Sequence, residues 1–422
     1  MKRKNFLALV AINLGVNTYW YVENFWINLY IVRNVAEQAL NVSLMVAVSA
    51  IAGVLTHIIV GALSDSSKSS LGRRKIYILW GGITGCGAMS LFPIITPISH
   101  SSGIAAAVLY GIVIDTVITI TGDMTTPTRL ALFKECSTIG ERGKLSFFIG
   151  IFSGIGAGVI QVLYMFGFNL DDVYFYIGGV FILAGAIACV LLVEDPPQVH
   201  NPRTFKECLK EIVQRDSYRT NPRFYHLLLL LALVSTGINT YSNFIAIYVE
   251  KGLGLDQELV GIVVLMVTIF QLLGGIIPAF SDRLGRKPIS LFCLITGGSM
   301  LVFSYFFQTR NHLVLGFIFG IASGIAGSAM GAIIIWVQDA CPKEKVSSLL
   351  AYQMVANVIP MAPGSLLGGF LADHFATGAE VYSKLFFLAA GIIILLATLP
   401  ALKIKDTIQR KKATETRSVE IN

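Results

Sequence analysis

Residues 61–75 read GALSDSSKSSLGRRK: a short acid, Asp65, then a glycine, then the basic run Arg73, Arg74 and Lys75. Residues 278–287 read PAFSDRLGRK and repeat the arrangement with Ser281, Asp282, Gly285, Arg286 and Lys287. Each copy sits between two long apolar stretches. Two such turns, about half a chain apart, predict a duplicated bundle of membrane-crossing helices whose charged turns share one face. Other echoes fall in the same order. Residues 15–19 (GVNTY) recur as 237–241 (GINTY), each followed by Asn-Phe (Asn24 and Phe25; Asn243 and Phe244), and residues 141–144 (ERGK) have a weaker echo in Glu344, Lys345, Val346 and Ser347. Parallel repeats of this kind place a binding site near the bilayer midplane.

The composition agrees. The 422 residues are 55% hydrophobic and 14% charged, with a mean hydropathy of +0.71, against roughly 25% charged in a soluble protein. A soluble domain this apolar would expose large greasy patches, so a soluble enzyme, a disulfide scaffold and a disordered chain are excluded. Twelve apolar blocks lie near 5–31, 42–63, 76–95, 103–126, 145–168, 173–193, 224–249, 258–280, 288–308, 312–337, 347–372 and 385–402. Each is long enough to cross a hydrocarbon core of ~30 Å as a helix. With the N-terminus in the cytoplasm, 28 of the 32 Lys and Arg residues fall on the cytoplasmic side and four (Arg33, Lys251, Arg310, Lys384) outside. That is the positive-inside pattern. It explains the net charge of +7 without nucleic acid and puts both termini inside a plasma membrane. The first block is too long and too polar for a cleaved leader.

The expected organisation is an N-terminal six-helix bundle (1–193), a cytoplasmic linker (194–223), a C-terminal six-helix bundle (224–402) and a cytoplasmic tail (403–422). The six cysteines have no metal-ligand or disulfide spacing. No phosphate-cradling loop and no nucleophile–base constellation are present. Neither a cofactor, a metal nor an enzymatic activity is expected, and the chain is expected to be a monomer.

G-x-x-x-D followed by G-R-R-K between spans two and three, with its repeat between eight and nine, resembles the major facilitator superfamily. The long turn from Gly61 to Gly72, and residues 127–132 (PTRLAL), are similar to the glycoside–pentoside–hexuronide:cation symporters and sucrose transporters. The resemblance implies a twelve-helix, all-α membrane fold working by alternating access. It also implies that Asp65 faces the start of span eleven and Asp282 the start of span five, latching the halves; Arg73, Arg74, Arg129 and Arg286 are the candidate gating residues beside them. Melibiose-type members carry two acids, four apart, on helix two; the matching positions here are Gly53 and His57, so the oxygen cage that sodium favours is missing.

Polar residues at membrane depth cost a few kcal/mol and mark candidate sites. Span one carries Asn13, Asn17, Asn24 and Asn28 within one quadrant at 100° per residue, with Trp20, Tyr21 and Glu23 beside them. Span seven offers Thr236, Asn239, Thr240 and Asn243 on a similar stripe. Trp336 and Gln338 in span ten are further candidates. Aromatic faces with amide donors and acceptors suit a sugar; helix–helix bonding is the competing use of the same amides. Glu23, Asp115, Asp123 and His57 are the candidate proton carriers, with an Asp123–Arg129 structural pair as the alternative for that aspartate. The expected function is proton-coupled symport of a sugar or glycoside. A proton-linked exporter of drugs or metabolites, and a membrane sensor without flux, are the rivals.

Overall fold

The computed structural model describes residues 2–137, 139–166, 171–194, 221–307, 309–340, 346–376 and 382–406; of residues 134, 139–144, 146–147 and 346–351 it describes the backbone alone. The echo at 141–144 and 344–347, most of the linker (195–220) and most of the tail (407–422) therefore lie outside the described residues or side chains.

The described chain is helical. Eleven helical stretches, from Ala39–Ser66 to Leu385–Lys403, are long and apolar enough to cross a membrane. The first crossing is made by three pieces in unbroken succession: α1 (Arg3–Tyr21), a π-helical turn (Val22–Ile27) and α2 (Asn28–Asn34). Its asparagines and Glu23 keep it less hydrophobic than the others and bring the crossings to twelve. The helices outrun the apolar blocks: the second runs Ala39–Ser66 and the fourth Ile104–Cys136, the latter straight through Pro127. Main-chain hydrogen bonding has no reason to stop where hydrocarbon stops.

The chain forms two compact units, Met1–Val213 and Gln214–Asn422. Besides α1 and α2, the first contains α3 (Ala39–Ser66), α4 (Lys75–Leu91), α5 (Ile95–Ser102), α6 (Ile104–Cys136), α7 (Ile139–Met165) and α8 (Val173–Leu192). In it α1 packs on α7 and α8, and α3 on α6. The second contains α9 (Pro222–Tyr241), α10 (Ile245–Ile247), α11 (Gln257–Gly274), α12 (Ser281–Leu284), α13 (Arg286–Phe306), α14 (His312–Ala340), α15 (Val346–Val358), α16 (Met361–His374), α17 (Leu385–Leu396) and α18 (Thr398–Lys403). There α9 packs on α14, α16 and α17.

The Gly-x-Asn-Thr-Tyr echo has a packing reason. A Cβ on Gly15 would collide with the Phe181 carbonyl of α8, and one on Gly237 would sit 2.6 Å from Ile394 Cγ1 and 3.3 Å from the Ala390 carbonyl of α17. In each unit this glycine lets the first crossing lie against the last. Overpacking of a close helix contact costs about 1–3 kcal/mol. Gly15→Ala, which meets main chain, is expected to lower the midpoint of thermal unfolding in detergent more than Gly237→Ala, which meets chiefly a side chain that can turn. Equal midpoints for the two variants would refute this account. Both first crossings also lose α regularity in their second half. The first does so at Val22–Ile27; span seven does so in a 3₁₀ turn (Ser242–Phe244) and a π turn (Tyr248–Gly252). Interruptions of this kind often lie at functional sites.

Candidate functional site

In the first unit α6 carries Asp115, Thr119 and Asp123 at successive four-residue steps, which places them on one face over about 12 Å. On α3, Ser49, Gly53 and His57 have the same spacing. The two ladders meet rung by rung. Ser49 faces Asp115. A Cβ on Gly53 would lie 2.5 Å from Asp123 Oδ2 and 3.2 Å from Thr119 Cγ2. His57 Nε2 is 2.7 Å from Asp123 Oδ1. Only a residue without a side chain fits the middle rung, and its absence lets the aspartate reach the histidine. Asp115 is 2% exposed and Asp123 7%.

Glu23 enters from the π turn of the first crossing. It is 8% exposed, both aspartates act on it electrostatically, and it lies beside Thr119. Its Oε2 has no hydrogen-bond partner, and neither has Thr119 Oγ1. Asp123 takes His57 as its partner, not Arg129. Arg129, one turn and a half further along α6 and partly exposed, acts on Asp123 only through its charge, and its Nε and Nη1 are buried without partners. Among the described residues, no three His, Cys, Asp or Glu side chains converge as a metal site would require.

The asparagines of span one form a chain along their own helix. The amide of Asn13 donates to the Leu9 carbonyl (2.6 Å), Asn17 to Asn13 (2.7 Å), Asn24 to Trp20 (2.8 Å) and Asn28 to Asn24 (2.6 Å). Each such bond uses one N–H and leaves the second N–H and the side-chain oxygen for another partner. Asn24 is exposed, Asn17, Trp20 and Tyr21 partly so, and Asn13 and Asn28 are buried. Tyr21 stacks on Phe25 and accepts a hydrogen bond from Gln161 of α7 at 2.5 Å. Tyr19 holds α6 through its hydroxyl, which donates to the Ile118 carbonyl at 2.8 Å.

In the second unit the corresponding stripe packs against α16. Asn239 donates to the Ser235 carbonyl (2.8 Å) and touches Gly364, while Asn243 reaches Ser365 Oγ at 3.4 Å; both are 8% exposed. Trp336 is fully buried, its indole N–H without a partner, and Gln338 is exposed.

The repeated turns build matching charge knots, one in each unit. Arg74 Nη1 donates to Ser64 Oγ (2.8 Å), and Nη2 pairs with Asp65 (2.6 Å) and with Glu135 at the end of α6 (3.0 Å). Arg73 also pairs with Glu135, at 2.5 Å. Arg286 bonds Ser281 Oγ (2.5 Å), Asp282 (2.7 Å) and Asp339 at the end of α14 (2.8 Å). The expected partners of Asp65 and Asp282, at the starts of spans eleven and five, lie among residues whose side chains are not described. Sequence reading overlooked Ser49, Thr119 and Glu135. Thr119 had a signal, its position four residues from each aspartate; Glu135 had only its place at a helix end.

Comparison with known proteins follows the same lines. The family model described as Major Facilitator Superfamily matches residues 116–307 and 259–419. A multi-drug resistance efflux pump PmrA homolog of Lactococcus lactis subsp. lactis (strain IL1403) is 22% identical over 234 residues; the match spans 54% of this chain and only about half, 55%, of that relative. Among solved structures, a mutant form of the nucleoside transporter NupG aligns with a TM-score of 0.72 at 15% identity, covering 94% of this chain and 99% of that one. A bacterial homolog of the human lysosomal transporter Spinster, in an inward-facing and occupied conformation, aligns with a TM-score of 0.67 at 12% identity, covering 94% and 96%.

Proposed function

We propose that this chain, which belongs to the Major Facilitator Superfamily, is a proton-coupled symporter of a sugar or glycoside that works by alternating access. Membership makes it a multi-pass membrane transporter of small molecules and not an enzyme. The observation that carries the finer reading is Glu23: a buried carboxylate with an unmet oxygen, within electrostatic reach of Asp115 and Asp123 and next in sequence to the exposed amide of Asn24. An unmet acceptor at such a place is a seat for a proton or for a substrate hydroxyl. The aromatic and amide surface of Trp20, Tyr21, Asn17 and Asn24 supplies what a hydroxylated ring needs: a flat apolar face and paired donors and acceptors. Asn239, Asn243, Trp336 and Gln338 are assigned to the same substrate in the second unit. In this reading Glu23, Asp115, Asp123 and His57 handle the proton, and Asp65, Arg73, Arg74, Arg129, Asp282 and Arg286 gate the pathway. Structural likeness to a nucleoside transporter is compatible with it, since a nucleoside is itself a glycoside.

The test is a solute panel of sucrose, lactose, melibiose and uridine offered to proteoliposomes with a pH-sensitive dye in the lumen. At least one member is expected to acidify the lumen on addition, and the signal is expected to disappear in Asp115→Asn. A panel that moves no protons, or acidification left intact by Glu23→Gln, Asp115→Asn and Asp123→Asn in turn, would overturn the reading. The likeness to a multi-drug resistance efflux pump homolog of L. lactis supports a second one, proton-linked export. There, an inwardly directed proton gradient expels solute from the lumen where a symporter would accumulate it.

A further inference from the structure

In the second unit α9 and span eleven (α15 followed by α16) lie side by side, and their contacts fix the register. The Tyr225 and Tyr352 rings meet edge to face at 6.1 Å, Ser235 Oγ donates to the Asn357 carbonyl at 2.5 Å, Gly364 lies against Thr236 and Asn239, and Gly368 against Thr240. Pro360 accounts for the break between α15 and α16, since it has no N–H to continue the helix, and α15 ends at Val358. The Ser235 hydroxyl meets a carbonyl next to that break, as main chain at membrane depth requires. Along this seam the polar side chains of α9 are spent: Asn239 donates to the Ser235 carbonyl and, at 3.4 Å, to its Oγ, and Asn243 reaches Ser365. The two carboxamides of α15 are not. Gln353 is 7% exposed and its Oε1 has no hydrogen-bond partner; one turn on, the buried Oδ1 of Asn357 has none either. Their spacing puts both on one helix face, with Cβ atoms about 5–6 Å apart. α14, which packs on α9 and on α15, adds the unmet indole N–H of Trp336. Buried polar groups are nearly always paired, and amides that glue helices pair across them. Here Ser235 and the glycines join the helices, and the two amides are left over.

We infer that Gln353 and Asn357 form a solute subsite within the second unit, built for a neutral ligand that presents two hydroxyls. The inference deepens the sugar reading and rests on it. A hydroxyl has one proton to donate, so two unmet acceptor oxygens call for two hydroxyls, and the amide nitrogens can donate to oxygens of the same ligand. The surroundings select a neutral ligand. α15 carries no charged residue, and neither does α9 from Leu227 to Tyr241, so a charged group here would be buried without a counter-charge. The subsite is continuous with the stripe already assigned to the solute, because Ser235 links the Asn239 side chain to the Asn357 main chain. The seam also explains why Asn239 and Asn243 are packed while the α15 amides are not: the former face span eleven across its glycines and Ser365, and the latter precede the break.

Two measurements on the full chain in nanodiscs test the subsite. Gln353→Met and Asn357→Leu replace each amide by an apolar side chain of similar volume. Without solute, each is expected to raise the midpoint of thermal unfolding, by about 2 °C, because it removes a buried polar group that no neighbour meets; an amide that tied helices together would lower it. Equilibrium binding of radiolabelled sucrose, lactose, melibiose and uridine reads the ligand. At least one is expected to bind the unaltered protein, and each substitution is expected to weaken that binding about tenfold, the factor for one lost hydrogen bond of ordinary strength. Where an apolar variant does not fold, the alanine variant at that position reads the binding alone. A midpoint that does not rise in a folded apolar variant, or an affinity left unchanged at either position, overturns the subsite. A panel without a binder overturns it together with the sugar reading. Lumen acidification reports separately. Binding that depends on Gln353 and Asn357, with no acidification by the unaltered protein, keeps the subsite and removes symport; acidification by a solute that binds the variants unchanged removes the subsite alone.

Discussion

Glu23→Gln is expected to abolish uphill transport while leaving downhill exchange of the same solute intact. A one-to-one proton symporter converts each pH unit across the membrane, about 1.4 kcal/mol, into a roughly tenfold accumulation of solute. Glutamine keeps the shape and the hydrogen-bonding capacity of a protonated glutamate but cannot release a proton, so the accumulation ratio should collapse to about one at any imposed gradient. Exchange of labelled for unlabelled solute needs no proton movement and should persist. The π turn matters here. Glu23 belongs to a segment that departs from α geometry between Tyr21 and Asn28, and the substitution alters neither volume nor main chain. A matched loss of exchange and accumulation would mean that Glu23 holds the substrate and not the proton. Retention of full accumulation would pass the carrier role to Asp115. Parallel measurement of Asp123→Asn separates the two stations. With His57 left facing a neutral amide, that variant is expected to slow coupled transport while leaving exchange intact.

The crossings and the twofold repeat were legible in the sequence because they rest on runs of apolar residues and on charged turns, which are local in the chain. The acids were legible for a related reason: a carboxylate at membrane depth stands out against its neighbours. Which groups the acids touch was not legible. Asp123 lies six residues before Arg129 on the same helix, and sequence distance suggested that pair. The structure instead gives it His57, 66 residues away, because α3 and α6 pack in register across Gly53. A glycine carries no sign in the sequence that it exists to admit a partner's side chain. Gly53 and His57 were read as the places where two acids were missing; in space they are the seat for an acid supplied by another helix. The asparagines show the limit in the other direction. Their spacing gave the stripe, but the amides of Asn13, Asn17, Asn24 and Asn28 each close a bond to the carbonyl one turn back, a choice that spacing alone does not reveal.

Arg74→Ala is expected to be the most destabilising single change in the charged turns, at about 3–5 kcal/mol, the range for removing one partner of a buried ion pair. The Arg74 side chain is 9% exposed and holds three partners on two helices at once: Ser64 and Asp65 at the end of α3, and Glu135 at the end of α6. Without it Glu135, at 19% exposure and with Oε2 already lacking a partner, keeps only Arg73. Arg286→Ala in the second unit should cost less. Its partners Asp282 and Asp339 are 70% and 39% exposed and can turn to water. Asp65→Asn should cost no more than about 1 kcal/mol, since Asp65 is 48% exposed and exposed ion pairs contribute little. Thermal unfolding in nanodiscs orders the three variants. Because the damage in Arg74→Ala is a half-buried carboxylate stripped of one of its two arginines, adding Glu135→Gln should recover part of the loss, a coupling that a double-mutant cycle measures directly. Simple additivity of the two substitutions would show that Arg74 acts through its packing alone, and the matching knot around Arg286 would then need the same reassignment.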